Sequence, residues 1–196
     1  MIAVPGLALY KDFFSTTLLD ALLHQVDREQ WSYDLKRRVQ HYGFKYDYRK
    51  HACDPAAAVA GLPEWAQCLS AQMRQAGVVA GRFNQLIVNE YLSGQGIAMH
   101  RDSTLFGNEI ASLSVGSSCV MTFAPMRGPG VTHVELDPGD LLVIRGDARY
   151  CWKHGIAARK KDIFEGRTII RQRRISLTFR QLDSFSKYYS KTSASS

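Results

Sequence analysis

Three side chains in this sequence have the types and spacing that could hold one metal ion. His100 and Asp102 lie two positions apart, so in an extended chain they project from the same face. His154 follows much later, shortly after an apparent strand over Leu141–Ile144, and a facing strand of a β-sandwich could bring it across. Two imidazoles and one carboxylate leave half of an octahedral ion's positions open. That arrangement suits a non-haem Fe(II) that binds both a co-substrate and O2.

A rival pair with the same spacing is present at His133 and Glu135. It falls on the polar face of a predicted strand, where solvated side chains are the ordinary outcome. A single His-x-Asp or His-x-Glu pair is a weak signal that is common by chance. What favours His100 and Asp102 is the set of residues further along the chain.

The stretch from Arg174 to Arg180 alternates regularly between polar and apolar residues. Its apolar residues face one side of a strand, while the other side carries Arg174, Ser176, Thr178 and Arg180. An exposed polar face would give the same pattern. Two arginines at the ends of one strand, however, also form a site for a dicarboxylate, because each guanidinium binds a carboxylate through paired hydrogen bonds.

A third predicted strand presents Asn89 and Tyr91 on one face beside Ile87. The amide and the phenol offer neutral hydrogen-bond donors next to an apolar wall. A buried tyrosine with a neighbouring partner is the commoner outcome, so this pair gains meaning only together with the other motifs.

The order of the elements predicts the fold class. Helical spacing of apolar residues follows Ser15 and Thr16, and a second helix is predicted from Pro63 to Gly77. Short β-rich runs then follow at Phe83–Leu92, Ile110–Val115, Cys119–Phe123, Val131–Leu136, Leu141–Ile144 and Ile169–Leu182. Helices followed by strands without alternation predict an α+β fold with a largely antiparallel sheet. At this length we expect two facing sheets of jelly-roll type.

Composition limits the class of protein further. The chain has 196 residues, and 45% are hydrophobic, which is enough for a sizeable core in one domain. There is no apolar run long enough to cross a bilayer and no evident secretory signal, so we expect a cytoplasmic protein, or a nuclear one in a eukaryote, with free thiols at its four cysteines. The net charge of +7 suits a polyanionic partner. A monomer is expected.

Taken together, these motifs resemble the AlkB family of Fe(II)- and 2-oxoglutarate-dependent dioxygenases, over roughly residues 83–182. The resemblance implies a double-stranded β-helix, or jelly roll, with the N-terminal helices packed on one sheet. It implies that His100, Asp102 and His154 hold the iron. It also implies a set of residues that bind 2-oxoglutarate, namely Asn89, Tyr91, Arg174, Ser176 and Arg180. Ser176 is a departure, because the family often has asparagine there.

Before residue 83 the resemblance extends to a basic and aromatic stretch over residues 35–52, which is similar to the family's nucleotide-recognition lid. Basic groups suit a phosphate backbone, and aromatic rings suit a base removed from its stack. The predicted substrate contacts are Arg38, Tyr42, Phe44, Tyr46 and Arg101. Phe44 stands where the family often has tyrosine. A solvated hairpin is the alternative. We expect one domain over residues 1–183 and a flexible tail over 184–196.

The function implied by the resemblance is oxidative dealkylation of alkylated bases in DNA or RNA, as a repair reaction. Breaking a C–H bond of an alkyl group requires a redox cofactor, which explains the need for iron. The implied reaction consumes 2-oxoglutarate and O2 and releases succinate, CO2 and an aldehyde. Three alternatives stay open. They are a tRNA-modifying oxygenase of the same family, a protein hydroxylase or demethylase, and a non-catalytic RNA-binding module.

Overall fold

The structure, a computed structural model, describes residues 4–33, 36–47, 52–58 and 61–182, and gives the backbone alone for 45–47 and 52–58. The predicted C-terminal tail lies outside these residues. The helices are α1 (Thr16–Arg28), α2 (Glu64–Gln75) and α3 (Gly146–Tyr150). The strands are β1 (Leu7–Tyr10), β2 (Val39–Asp47), β3 (Ala52–Ala58), β4 (Gln85–Tyr91), β5 (Ile97–His100), β6 (Phe106–Gly116), β7 (Cys119–Pro125), β8 (Thr132–Leu136), β9 (Leu141–Arg145), β10 (Trp152–Ile156), β11 (Lys161–Phe164), β12 (Arg167–Ile170) and β13 (Arg174–Leu182).

Two antiparallel sheets form the body of the protein. The larger sheet has the strand order β1-β9-β6-β13-β4-β2-β3, and the smaller one has the order β5-β10-β7-β8. An apolar cluster that includes Phe123, Leu142 and Ile156 joins strands of both sheets. This arrangement confirms the predicted α+β fold with a jelly-roll core.

The two longer helices pack on the outer face of the larger sheet, as predicted. The Ser15 hydroxyl caps α1 by accepting a hydrogen bond from the backbone N–H of Leu18, and α2 begins directly after Pro63. Leu22 of α1 and Leu69 of α2 belong to one buried cluster with residues of β4, β6 and β13. No helix in the described ranges combines the length and apolar character needed to cross a membrane.

The predicted strand Ile169–Leu182 is wrong as a single element, because the structure divides it into β12 and β13. Between them the Arg171 side chain turns inward and donates two hydrogen bonds to the buried carboxylate of Asp162. The Arg171 N–H still bonds the Lys160 carbonyl of the hairpin, and β13 begins only at Arg174. The sequence also did not indicate β1, β5 or β10, which are four or five residues long.

The central strands of the larger sheet are buried on both faces. On β13, Leu177 and Phe179 point to the cluster under the helices, whereas Arg174, Ser176 and Arg180 point to the space between the sheets. The predicted alternation of this strand is therefore confirmed. The polar face of β13 forms one wall of the cavity between the sheets.

Candidate metal and co-substrate site

The structure brings His100, Asp102 and His154 together. His100 ends β5 and lies directly opposite His154 of β10, with ring centroids 4.5 Å apart. Asp102 follows in the next loop, where its Oδ2 is 3.5 Å from His154 Nε2. One ligand atom from each of the three lies within 4.8 Å of the others. Across the described residues, no other group of three His, Cys, Asp or Glu side chains meets that condition.

The hydrogen bonding of His100 leaves one ring nitrogen for a metal. Its Nδ1 lies 2.8 Å from the backbone carbonyl oxygen of Ala98. A carbonyl only accepts, so Nδ1 is the donor in this bond, and Nε2 is the nitrogen that remains for a metal. Fixing a ligand's tautomer through its second nitrogen is a common feature of metal-binding histidines.

Asp102 and His154 are both buried and both in the form that binds a cation. Burial by itself raises the pKa of Asp102, but the nearby charge of Arg180, joined by those of the two histidines and Arg149, lowers it to about 2. Burial lowers the pKa of His154 to about 4, against the opposing effect of Asp102. At neutral pH the cluster therefore offers an anionic oxygen and a neutral imidazole.

This donor set fits Fe(II). Two imidazoles and one carboxylate, with space beside them, are the ligands of non-haem iron oxygenases. The rival pair has other partners, because His133 is hydrogen-bonded to Thr122 and Glu135 accepts a hydrogen bond from Arg167. His133 and Glu135 take no part in the three-residue group.

A cavity of about 470 Å³ opens beside the three side chains, between the two sheets. That volume lies within the range of small-ligand pockets, roughly 300–1,000 Å³. The cavity wall combines the apolar residues Ile110, Met121 and Leu142 with a polar strip from β13. Four arginines also line it, namely Arg37, Arg101, Arg174 and Arg180. Their excess over the single carboxylate of Asp102 favours an anionic ligand.

Arg174 has unused hydrogen-bonding capacity that faces the cavity. The residue is 3% exposed, and its Nη2 donates to the hydroxyl of Ser114 at 2.9 Å. Its Nε and Nη1 are buried, and no acceptor in the described part of the chain reaches them. Buried donors without an acceptor are costly, so these two groups fit an anionic ligand bound in the cavity.

Arg180 lies at the metal end of the same strand. Its Nη2 donates to Asp102 Oδ1 at 2.9 Å, while Arg174 lies six positions away beside the ring of Tyr91. The two guanidinium groups thus mark opposite ends of the cavity. A linear dicarboxylate with one end at the metal matches that arrangement.

Ser112 and Ser114 of β6 also face the cavity side, and sequence reasoning missed both of them. The Ser112 hydroxyl lies 2.9 Å from that of Ser176 and 3.5 Å from that of Thr178. Their positions follow from cross-strand pairing, because Ser112 lies opposite Thr178 and Ser114 opposite Ser176. The alternation of β6 could have identified them once its partner strand was known.

Arg37 is a third cavity-side residue that the sequence did not single out. Its Nε donates to the side-chain oxygen of Asn89 at 2.9 Å, and its guanidinium lies 5.4 Å from the centre of the Tyr91 ring. Because Arg37 occupies the amide oxygen, the amide NH2 of Asn89 is left as a donor to the cavity.

We expect Arg37→Met to raise the KM for 2-oxoglutarate by about 2- to 10-fold, the effect of one lost hydrogen bond of ordinary strength. Arg38→Met is the matched control, because Arg38 is bonded to Glu90 instead. Steady-state succinate assays on both variants measure the effect. Equal KM values for Arg37→Met and the unmodified protein would show that Arg37 does not orient Asn89.

The predicted substrate residues have varied positions. Arg101 lines the cavity mouth, and its guanidinium donates to the backbone carbonyl of Tyr150. Arg38 does not reach the cavity lining, because it forms an ion pair with buried Glu90.

Tyr42 packs edge-to-face on Trp65 of α2 and donates a hydrogen bond to Gln40. This places Tyr42 on the helix side of the sheet, so its position does not support the predicted substrate contact. Phe44 packs near Phe106. The side chain of Tyr46 lies outside the described residues. Substrate contacts of Phe44 and Tyr46 stay predictions.

Comparison with known proteins identifies the family. The chain matches the 2OG-Fe(II) oxygenase superfamily over residues 6–180. It is 33% identical over 182 residues to the uncharacterized protein L905 of Acanthamoeba polyphaga mimivirus, covering 90% of this chain and 85% of that protein. It is 34% identical over 174 residues to tRNA (carboxymethyluridine(34)-5-O)-methyltransferase alkbh8 of Xenopus tropicalis, covering 84% of this chain but only 28% of the relative.

Further matches point to the same superfamily. A Caenorhabditis elegans protein named DNA N6-methyl adenine demethylase is 29% identical over 187 residues, covering 92% of this chain and 61% of that protein. The structure of OsALKBH1 superimposes with a TM-score of 0.72 at 18% identity, covering 92% of this chain and 100% of that one, which shows a shared fold. Alpha-ketoglutarate-dependent dioxygenase alkB homolog 7, mitochondrial, of Bos taurus is 31% identical over 172 residues, covering 82% of this chain and 75% of that protein. The chain therefore belongs to the AlkB family of 2OG-Fe(II) oxygenases, enzymes that use Fe(II) and 2-oxoglutarate.

Proposed function

We propose that this enzyme oxidises an alkyl group on a nucleic-acid base, and that dealkylation of a damaged or methylated base is its reaction. The observation that carries the proposal is the metal cluster, with a dicarboxylate cavity beside it and a basic mouth. In this proposal His100, Asp102 and His154 hold the iron. Asn89, Tyr91, Arg174, Ser176 and Arg180 hold 2-oxoglutarate.

The chain's own groups bind and orient the reactants. Arg180 fixes the Asp102 carboxylate and neutralises charge at the metal end, and Arg174 fixes the far carboxylate of the co-substrate. The apolar wall around Met121 and Leu142 excludes water from the reacting centre. Iron, with 2-oxoglutarate and O2, supplies the oxidising power for C–H hydroxylation, after which a hydroxylated N-methyl group leaves as formaldehyde.

Charge and relatives support a nucleic-acid substrate. The chain has a net charge of +7, and Arg101 is an exposed cation at the cavity mouth. A cation there suits a phosphate beside a base that has been turned out of its stack. The names of the nematode and frog relatives refer to action on DNA and on tRNA.

We expect Arg101→Ala to raise the KM for an oligonucleotide. The slope of log KM against log salt concentration is expected to fall by about the amount that one phosphate contact contributes. The KM for 2-oxoglutarate stays unchanged, because Arg174 and Arg180 bind that ligand. Kinetics at several salt concentrations measure both quantities. An unchanged salt dependence in Arg101→Ala would exclude the phosphate contact.

A second candidate is hydroxylation of a modified base in tRNA without loss of an alkyl group. The match to the frog tRNA methyltransferase favours it, although the chain spans only about a quarter of that relative. The two candidates differ in product, because only dealkylation releases an aldehyde.

The deciding experiment is a screen for succinate and formaldehyde with Fe(II), 2-oxoglutarate and methylated DNA, methylated RNA or tRNA. Dealkylation predicts both products from a methylated oligonucleotide, with neither formed by His100→Ala. Succinate without formaldehyde on tRNA would favour the second candidate. Turnover on peptides alone would contradict both.

A further inference from the structure

Arg149 is the most deeply buried large polar side chain near the site, although it lines no part of the cavity. It belongs to α3 and is 1% exposed. Its guanidinium donates to the backbone carbonyls of Asp102 at 2.9 Å, Ser103 at 2.5 Å and Phe106 at 3.1 Å. The Nε adds a longer bond of 3.4 Å to the carbonyl of Gly107. One side chain therefore binds four backbone carbonyls, two in the loop after β5 and two at the start of β6.

That loop carries Asp102 between β5 and β6, outside any strand. Its own support is slight, since the short-range bonds within it run from Phe106 N–H to the Ser103 carbonyl and from Leu105 N–H to the Ser103 hydroxyl. Buried carbonyls need donors, and here the donors come from Arg149. The position of the Asp102 carboxylate thus depends on a residue distant in sequence.

Arg149 also connects the two segments that supply the candidate ligands. The short helix α3 leads directly into β10, which carries His154. The helix end is fixed by a hydrogen bond from Cys151 N–H to the Asp147 carbonyl. The Arg149 guanidinium therefore joins the segment before His154 to the loop that holds Asp102.

We propose that Arg149 is a positioning residue that assembles the metal site before the ion binds, by fixing Asp102 relative to His154. This inference rests on the metal site of the proposed function and does not depend on which nucleic acid is the substrate. A planar guanidinium suits the role, because its donors point in fixed directions at several carbonyls. A lysine ammonium keeps the charge but cannot reproduce that fork.

The test is the affinity for Co(II), measured by calorimetry in the absence of 2-oxoglutarate and nucleic acid. We expect Arg149→Lys to weaken Co(II) binding by about 10- to 100-fold, the usual effect of losing an outer partner of a metal ligand. Arg171→Lys is the matched control. Arg171 is also buried and bonds a carboxylate, Asp162, and a carbonyl, that of Ala157, but these bonds reach neither Asp102 nor its loop.

The outcomes separate the inference from the proposed function. Weaker Co(II) binding in Arg149→Lys alone supports the positioning role. Equal affinity in Arg149→Lys and the unmodified protein, or equal losses in both variants, would overturn it. If the unmodified protein binds no Co(II), the metal site itself is refuted, and the inference with it.

Hydrogen exchange on the unmodified protein provides a test that needs no variant. We expect the peptide covering residues 101–107 to be protected already without metal, and Co(II) to add little protection, because Arg149 has ordered the loop. Rapid exchange that slows only after Co(II) is added would show that the ion, and not Arg149, orders the loop.

Discussion

Asp102→Ala is expected to abolish succinate formation and to weaken binding of Mn(II), used as an oxygen-stable substitute for iron, by more than about 100-fold. Loss of an outer partner costs up to about that factor, and Asp102 is the only anionic member of the three-residue group. Without it, two imidazoles and no carboxylate face the positive charge of Arg180, which disfavours a cation. Calorimetric Mn(II) titration measures the loss.

Glu135→Ala is the matched control for Asp102→Ala, because it removes a carboxylate of the rival pair that bonds Arg167 instead. Glu135→Ala is expected to bind Mn(II) as tightly as the unmodified protein does. Circular dichroism on both variants separates a lost ligand from a lost fold. A folded Asp102→Ala variant that binds Mn(II) normally would refute the assignment of the metal site.

Arg174→Met is expected to raise the KM for 2-oxoglutarate by about 100-fold. Removing one member of a buried, hydrogen-bonded charge pair costs roughly 2–5 kcal/mol, and each 1.4 kcal/mol is about a factor of ten. The two buried donors of Arg174 without an acceptor are the groups that the far carboxylate of the co-substrate would satisfy. Arg174→Lys is expected to recover part of the loss, since it keeps the charge but not the fork.

A ligand that lacks the far carboxylate gives the control for Arg174→Met. 2-Oxobutyrate has the keto acid end but no second carboxylate, so its weak binding is expected to be nearly the same in the unmodified protein and in Arg174→Met. The variant thus loses its preference for the diacid. Equal loss of affinity for both ligands would show a general disturbance of the cavity and contradict the assignment of Arg174.

Periodicity made part of this site predictable. The alternation of β13 identified Arg174 and Arg180 as residues of one face, and strict alternation is the signature of a strand whose two faces have different neighbours. The His100-x-Asp102 spacing also identified a pair that the fold brings together, although only His100 lies on a strand and Asp102 follows in the loop. Local pattern was sufficient wherever a strand presented its own functional residues.

Contacts that depend on tertiary structure were not predictable in this way. Arg37 and Arg38 are neighbours in a basic run, yet only Arg37 lines the cavity, while Arg38 joins buried Glu90. A difference of one position along the chain therefore determines which of the two arginines faces the cavity. Arg149 carries no periodic signal, because its role comes from a loop that is more than 40 positions away.

The same limit explains Tyr42. In sequence it belongs to a run of aromatic residues that resembles a substrate lid, but it lies opposite Leu86 in the β2–β4 pairing. Leu86 is a member of the cluster beneath the helices, so cross-strand pairing places Tyr42 on that side as well. Composition made residues 35–52 resemble a lid, but strand register determines which of their side chains face the cavity.

The most direct measurement is an anaerobic titration of the metal-free protein with Fe(II) and 2-oxoglutarate, followed by visible absorption. A 2-oxo acid chelated to ferrous iron absorbs in the visible range through charge transfer, so the signal reports the metal and the diacid at one site. The geometry of His100, Asp102 and His154 beside Arg174 predicts a band that saturates at one equivalent of each ligand. Binding of neither ligand, or binding of both without the band, would contradict the shared site.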